Sequence, residues 1–234
     1  MKNDNNEETT PKKKLRNELI IHSIILIILF VICCWDRIEN IPRFPKNFLF
    51  LTQICLYSNI IYYSFSTYHN IKEQNEIIKS PKLLKLLNFN FCISFVVFIM
   101  YWSMLFLDKA TLYKKDSIIK VPTSLNMLLH GGVFTTNLIE IFYINKRKNL
   151  PYIKIMFYFF FTIFYLGILY ISKIFFDIKI YPFIYGNVFK FLFISATSFI
   201  VCLIGHYIYI FITKKREVKN DDKNYKEFEM NKVF

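Results

Sequence analysis

The sequence predicts an all-α polytopic membrane protein, a bundle of six transmembrane helices. Of its 234 residues, 54% are hydrophobic, and the mean hydropathy of the whole chain is positive at +0.32. A soluble domain of this size confines its apolar side chains to one core and rarely has a positive mean hydropathy. The apolar residues also fall into six long runs. These observations exclude an ordinary soluble domain, a disordered chain and a disulfide-rich secreted module.

Each of the six runs is long enough to cross a bilayer as a helix. A transmembrane helix needs about 20 residues, within a range of about 17–25, and its backbone groups must bond within their own segment. The first run follows the basic segment 12–16, as a signal peptide would, but it lacks the small residues of a cleavage site. We therefore expect a retained first helix. The runs are 19–35, 48–68, 86–107, 122–144, 151–176 and 187–213.

Lysine and arginine predict the orientation of the bundle. They are more numerous at the two termini and in the second and fourth loops than in the first, third and fifth loops. The richer side faces the cytosol, so both termini are predicted to be cytosolic. The predicted organisation is a polar cytosolic tail over 1–18, a transmembrane domain over 19–213 and a charged cytosolic tail over 214–234.

The charge, the cysteines and the histidines exclude several other functions. The net charge of +13 does not indicate nucleic-acid binding, because the basic residues lie between apolar runs, where they set topology. The five cysteines lie inside apolar runs without a CxxC pair, and we interpret them as buried small hydrophobes. His22 and His206 fall near the cytosolic face, as interfacial residues, whereas His130 falls at the opposite depth, so a three-histidine metal site cannot form. We expect no cofactor, no metal and no nucleic-acid partner.

Polar residues inside the runs are the candidates for chemistry, since polar side chains within a membrane normally face a cavity or a neighbouring helix. At about 100° per residue, three of them share one face of the fourth helix and three share one face of the second. They are Asn126, His130 and Asn137 in the fourth run, and Thr52, Asn59 and Ser66 in the second.

One residue from each of these two faces is predicted to lie at a similar depth in the membrane. Counted from the outer ends of their helices, Thr52 and His130 differ in depth by about 6 Å, at about 1.5 Å of rise per residue. A hydroxyl and an imidazole are therefore predicted to meet in the outer half of the bilayer. The alternative is that the threonine bonds to its own helix and the histidine only joins two helices. Glu140 lies about 15 Å beyond His130 along the axis, so an acidic partner would have to come from a loop, such as Asp108 or Asp177.

Four stretches of the chain together resemble one family. They are Phe50-Leu51-Thr52, the stretch from Phe91 through Trp102 to Asp108-Lys109, Pro122-x-x-Leu125-Asn126-x-x-x-His130 followed by Leu138-Ile139-Glu140, and Tyr181-Pro182-Phe183. In order and content they resemble the androgen-induced family of six-span membrane proteins, known as threonine hydrolases of fatty-acid esters of hydroxy fatty acids. The resemblance covers roughly residues 48–200.

The resemblance implies roles for individual residues. Thr52 falls on the family's nucleophile and His130 on its catalytic histidine. Asn126, Trp102 and Tyr181 fall in the matching stretches and are expected to bind or orient the substrate, with Asn126 also a candidate donor to the oxyanion.

Three departures from the family pattern surround these positions. Met127 stands where the family usually has a second histidine, and Gly131 stands where it often has threonine. The tryptophan usually found shortly before Tyr-Pro is missing. None of these departures removes either catalytic group.

Two functions of different classes remain open. The first is a lipid-ester hydrolase of the endomembrane system, in the endoplasmic reticulum or plasma membrane, whose lipid substrate enters sideways from the bilayer. The alternative is a non-enzymatic polytopic protein, either a scaffold or a small transporter. Transport predicts two related halves with broken helices, and only Gly131-Gly132 offers such an interruption. The oligomeric state is open.

Overall fold

The computed structural model describes residues 9–40, 50–72, 81–107, 122–144, 152–176 and 188–230, and its regular elements there are all helical. This confirms the predicted all-α class and gives one helix for each apolar run. The helices are α1 (Thr9–Asn40), α2 (Leu51–Lys72), α3 (Pro81–Leu107), α4 (residues 123–144), α5 (Ile155–Phe176) and α6 (Val188–Met230). Helices α1 and α6 extend into the two predicted tails, 1–18 and 214–234.

Helix α4 changes its winding three times without a break. Two α-helical segments, Thr123–Met127 and Val133–Ile139, alternate with two π-helical turns, Leu128–Gly132 and Glu140–Ile144. Such π-turns are rare and frequently occur at functional sites. The first contains His130, and the second begins at Glu140.

Within the described residues, four helices are long and apolar enough to cross a membrane. Helices α2 and α4 do not reach that criterion, because α2 carries many polar residues and α4 is divided into short segments. By length and composition, the structure therefore supports four of the six predicted spans. The four are Leu15–Glu39, Pro81–Phe106, Ile155–Phe176 and Val188–Lys214.

Helix α3 lies at the centre of the bundle, in contact with α2, α4 and α6, while α1 packs on α2 and α5 on α6. Its core combines apolar side chains such as Leu87 and Phe91 with an unusual number of buried polar ones. The exposed surface of α5 and α6 is instead rich in phenylalanine and isoleucine. A polar interior behind an apolar exterior is the arrangement expected of helices that face lipid. The fully buried polar residues, at 0% exposure, are His22, Asn59, Ser66, Asn88, Asn137 and Glu140.

The cysteines are all free thiols. Cys55, Cys92 and Cys202 are buried, as predicted, whereas Cys33 is half-buried and Cys34 is exposed. The prediction of buried packing is thus wrong for Cys34, which lies on the outer surface of α1 among exposed apolar side chains.

Candidate active site

Thr52 lies in the first turn of α2. The helix begins at Leu51, and the amides of Gln53 and Ile54 both donate to the carbonyl of Phe50, at 2.9 and 3.1 Å. Phe50, which precedes the helix, thus accepts from two of the amides that have no acceptor within it, and the helix N-terminus carries a partial positive charge. The Thr52 hydroxyl therefore lies where developing negative charge would be stabilised.

His130 meets Thr52 from the first π-turn of α4. Its Nδ1 lies 3.4 Å from Thr52 Oγ1, a little beyond the 2.6–3.2 Å at which a proton is transferred directly, as is common before substrate binds. The prediction that this hydroxyl and this imidazole meet is confirmed. The hydroxyl donates to Nδ1 when the ring is neutral and carries its proton on Nε2. The catalytic roles of the two residues stay a prediction.

Tyr101 of α3 holds the plane of the imidazole. Its ring stacks on that of His130 with the centroids 3.9 Å apart and the planes 3° from parallel. Buried Tyr101 thus occupies one face of the ring, while Thr52 approaches its edge. Sequence reasoning missed this residue, although it stands directly before Trp102 in a stretch that the family resemblance had singled out.

Trp102 of α3 lies beside the first π-turn of α4, at Gly131. Its Nε1 is buried and has no hydrogen-bond partner among the residues that the structure describes. A Cβ added at Gly131 would lie 4.0 Å from this nitrogen, so the indole N–H lies beside the backbone that carries His130. That Trp102 orients substrate stays a prediction, and the structure places its indole nitrogen beside Gly131, the residue after His130.

The predicted asparagine face of α4 is present in part. Buried Asn137 donates to Ser94 Oγ of α3 at 3.1 Å, so Asn137 and His130, seven residues apart, both face α3. Asn126 lies one turn before His130 and is half-buried. Its side chain takes no part in the hydrogen bond between Thr52 and His130.

Glu140 does not orient His130, as its depth predicted, because its carboxylate is engaged elsewhere. One oxygen accepts the hydroxyl of Tyr62 at 2.6 Å, and the other lies 2.8 Å from His22 Nε2. His22 is fully buried and His206 is buried as well, at 2% exposure, so both lie inside the bundle, while their depth near the cytosolic face stays a prediction. Asp108, Asp177 and Tyr181 lie outside the described residues.

A polar cluster of α1 and α2 adjoins the first turn of α2. The amide of Gln53 donates to Asp36 Oδ2 at 2.8 Å, and Arg37 donates to Gln53 Oε1 at 3.2 Å and to the hydroxyl of Tyr57. Since Gln53 directly follows Thr52, this cluster fixes the end of α2 that carries the hydroxyl.

These features define the class of protein. It is an all-helical protein with an apolar exterior of the kind that faces lipid. A hydroxyl–imidazole pair, Thr52 and His130, lies between α2 and α4. The model of the FAR-17a/AIG1-like protein family matches residues 17–217. The chain therefore belongs to the FAR-17a/AIG1-like family, which confirms the resemblance read from the four stretches and extends it to α1 and to most of α6. No curated protein and no solved structure matches the chain.

Proposed function

We propose that this protein is an intramembrane lipid-ester hydrolase, with Thr52 as the nucleophile and His130 as the general base. Its proposed substrates are fatty-acid esters of hydroxy fatty acids. The observation that carries the proposal is the 3.4 Å approach of Thr52 Oγ1 to His130 Nδ1. Membership of the FAR-17a/AIG1-like family supports it.

In the first step the threonine hydroxyl becomes a nucleophile by losing its proton to His130 Nδ1. The oxygen attacks the ester carbonyl and forms a tetrahedral oxyanion. Collapse of that intermediate breaks the bond to the hydroxy-acid oxygen, which takes the proton from the imidazolium as it leaves. The products of this step are the free hydroxy acid and an acyl ester on Thr52.

In the second step water takes the place of the departed hydroxy acid. His130 removes a proton from the water, which attacks the acyl carbonyl, and the proton then returns to the Thr52 oxygen as the fatty acid leaves. The stacked ring of Tyr101 keeps the imidazole in one orientation through both steps. It thereby supplies the orientation that an acid supplies in a Ser–His–Asp triad.

The oxyanion of both steps needs hydrogen-bond donors placed before the reaction begins. Thr52 is in the first turn of α2, so the positive end of that helix faces the reacting carbon. Half-buried Asn126, one turn from His130, is a further candidate donor.

The membrane arrangement that fits this mechanism has six spans with both termini in the cytosol, in a membrane of the endomembrane system. Helices α2 and α4 contribute two of these spans despite their polarity, because several of their polar residues, such as Asn59, Asn137 and Glu140, are buried inside the bundle. Their exposed side chains are apolar at several positions, among them Ile61, Phe65, Met127, Leu128 and Phe142. A lipid ester would then reach Thr52 sideways from the bilayer.

The test of the proposal is covalent labelling of the solubilised full-length protein with a fluorophosphonate that carries a long alkyl chain. We expect a single labelled site, lost in Thr52→Ala and His130→Ala. The matched control is Thr162→Ala, which removes a threonine hydroxyl that bonds only to its own helix, at Tyr158 O. Labelling that persists in Thr52→Ala would overturn the assignment of the nucleophile, and absence of any labelling and any ester cleavage would favour a scaffold.

A further inference from the structure

Helices α2 and α4 touch through polar groups at two levels with the same register. Thr52 meets His130 across a separation of 78 residues, and Tyr62 meets Glu140 across the same 78 residues. The two contacts are ten residues apart on each helix, about 15 Å along the axis. The two helices therefore run parallel here, and their axial register is the same at both contacts.

The inner contact is the stronger of the two. Tyr62 donates to Glu140 Oε1 at 2.6 Å, His22 Nε2 lies 2.8 Å from Glu140 Oε2, and all three residues are fully buried. Both distances are within the usual range of a hydrogen bond, whereas the 3.4 Å between Thr52 and His130 lies beyond it. Helix α1 is thus tied to α4 through His22, and α2 is tied to α4 through Tyr62.

This inner contact resists sliding of α4 along α2. A shift by one residue moves the helix by about 1.5 Å, which breaks a hydrogen bond of 2.6 Å. A buried carboxylate left without its donors is strongly disfavoured. The same shift at the outer level would take His130 Nδ1 out of reach of Thr52.

We propose that Glu140 is a positioning residue for the Thr52–His130 pair. It holds α4 at the axial level where the imidazole reaches the hydroxyl, and it does so through Tyr62. The inference rests on the proposed hydrolase function, and it adds to that function a positioning group about 15 Å from the reacting atoms. The two π-turns of α4 mark the two levels, since one contains His130 and the other begins at Glu140.

A second nucleophile is the rival explanation of the same cluster. Ser66 Oγ lies 3.3 Å from His22 Nδ1, so Ser66, His22 and Glu140 have the connectivity of a Ser–His–acid triad. However, the amide of Asn70 lies closer to the same Nδ1, at 2.8 Å. Because Asn70 already donates to the nitrogen that would have to accept the serine proton, and because Ser66 is fully buried, we favour positioning.

The first test measures the rate of fluorophosphonate labelling against probe concentration in Tyr62→Phe and Glu140→Gln. Misplacement of a reacting group by about 1 Å costs up to about 100-fold in rate. We expect the rate at saturating probe to fall about 10- to 100-fold, while the half-saturating concentration stays unchanged. The double variant should lose no more than the worse single one, because both substitutions break one contact.

The matched control is Tyr158→Phe. It removes the hydroxyl of another fully buried tyrosine, one on α5 that donates to Asn88 Oδ1 of α3 at 2.9 Å. Its labelling rate should equal that of the wild type. An equal loss in this control would overturn the proposal, as would a wild-type rate in both Tyr62→Phe and Glu140→Gln. Tyr62→Phe keeps the test decisive if a Glu140 variant fails to fold.

The second test measures the axial position of α4 relative to α2 without using activity. In a chain whose five native cysteines are replaced by alanine, Thr52→Cys and His130→Cys are combined and treated with a short bifunctional thiol reagent. Cross-linking should be fast, and it should slow several-fold when Tyr62→Phe or Glu140→Gln is added, but not with Tyr158→Phe. If these substitutions slow cross-linking but the wild-type protein never reacts with the fluorophosphonate, the positioning proposal is retained and the hydrolase proposal is rejected. Unchanged cross-linking would reject positioning alone.

One further labelling result would also reject positioning. If Thr52→Ala still reacts with the probe and Ser66→Ala does not, Glu140 orients a second nucleophile.

Discussion

The aromatic ring of Tyr101 lies flat against the imidazole of His130, with the ring centroids 3.9 Å apart. The two residues come from antiparallel helices, α3 and α4, and the pair is repeated seven residues away on each helix, where Ser94 meets Asn137. The plane of the proposed base is therefore set by a helix that contributes no acid to it.

Replacing Tyr101 tests that role. Tyr101→Phe keeps the stacked ring, and we expect labelling at the wild-type rate. Tyr101→Leu leaves the imidazole free to rotate, and the rate should fall about 10-fold or more, as expected for a misaligned reacting group. The measurement is probe labelling at saturation, with thermal unfolding in detergent to confirm that both variants are folded. A slow Tyr101→Phe variant would assign the function to the hydroxyl instead of the ring.

The pH dependence follows from the acceptor role of His130 Nδ1. Only the neutral imidazole can take the threonine proton, so activity should be full at neutral pH and decline as acid protonates the ring. The measurement is the rate of ester cleavage at saturating substrate from pH 3 to 8, with the fold checked at each pH. A rate that rises toward acid would contradict a histidine base.

The membrane orientation can be tested with epitope tags. In sealed microsomes with their cytosolic face outward, tags at both termini should be digested by added protease, and a tag inserted after Lys115 should be protected. The expected result follows from the excess of lysine and arginine on the predicted cytosolic side. Protection of the N-terminal tag alone would mean an odd number of spans.

Two glycines provide a test of packing. A Cβ at Gly205 of α6 would lie 2.9 Å from Phe95 Cδ1 of α3, whereas nothing lies within 4 Å of a Cβ at Gly167 of α5. Gly205→Ala should lower the free energy of unfolding by about 1–3 kcal/mol, as overpacking does. Gly167→Ala should leave it unchanged or raise it by up to about 1 kcal/mol, because alanine favours the helix. Thermal unfolding of both in the same detergent compares them, and equal melting temperatures would contradict the close packing of α3 on α6.

The sequence predicted those parts of the structure that depend on a single helix at a time. Each apolar run became one helix, and counting residues from helix ends was enough to bring Thr52 and His130 to one depth. Helices α2 and α4 do not meet the length and composition that the other four helices meet, although several of their polar side chains, such as Asn59 and Asn137, face the interior of the bundle. That direction depends on which helices are neighbours.

The contacts that the sequence did not predict all depend on helix neighbours or on local winding. Whether His22 meets Glu140 depends on α1 and α4 lying side by side, and the two residues are 118 positions apart. The stacking of Tyr101 on His130 depends likewise on α3 lying beside α4. The π-turns differ from an α-helix by one residue per turn, a change that the pattern of apolar residues in α4 does not reveal.

The pairing of His22 with Glu140 has a consequence for biosynthesis. His22 is synthesised 118 residues before its partner, and at about 5–20 residues per second this delay is roughly 6–24 s. During that interval the first helix carries the His22 imidazole, but the Glu140 carboxylate that it contacts has not yet been synthesised. Once α2 has been made, Asn70 and Ser66 can meet Nδ1 of this imidazole, whereas the contact of Nε2 with Glu140 must wait for the fourth helix. The inner contact would therefore close after chain insertion, as a late step of assembly.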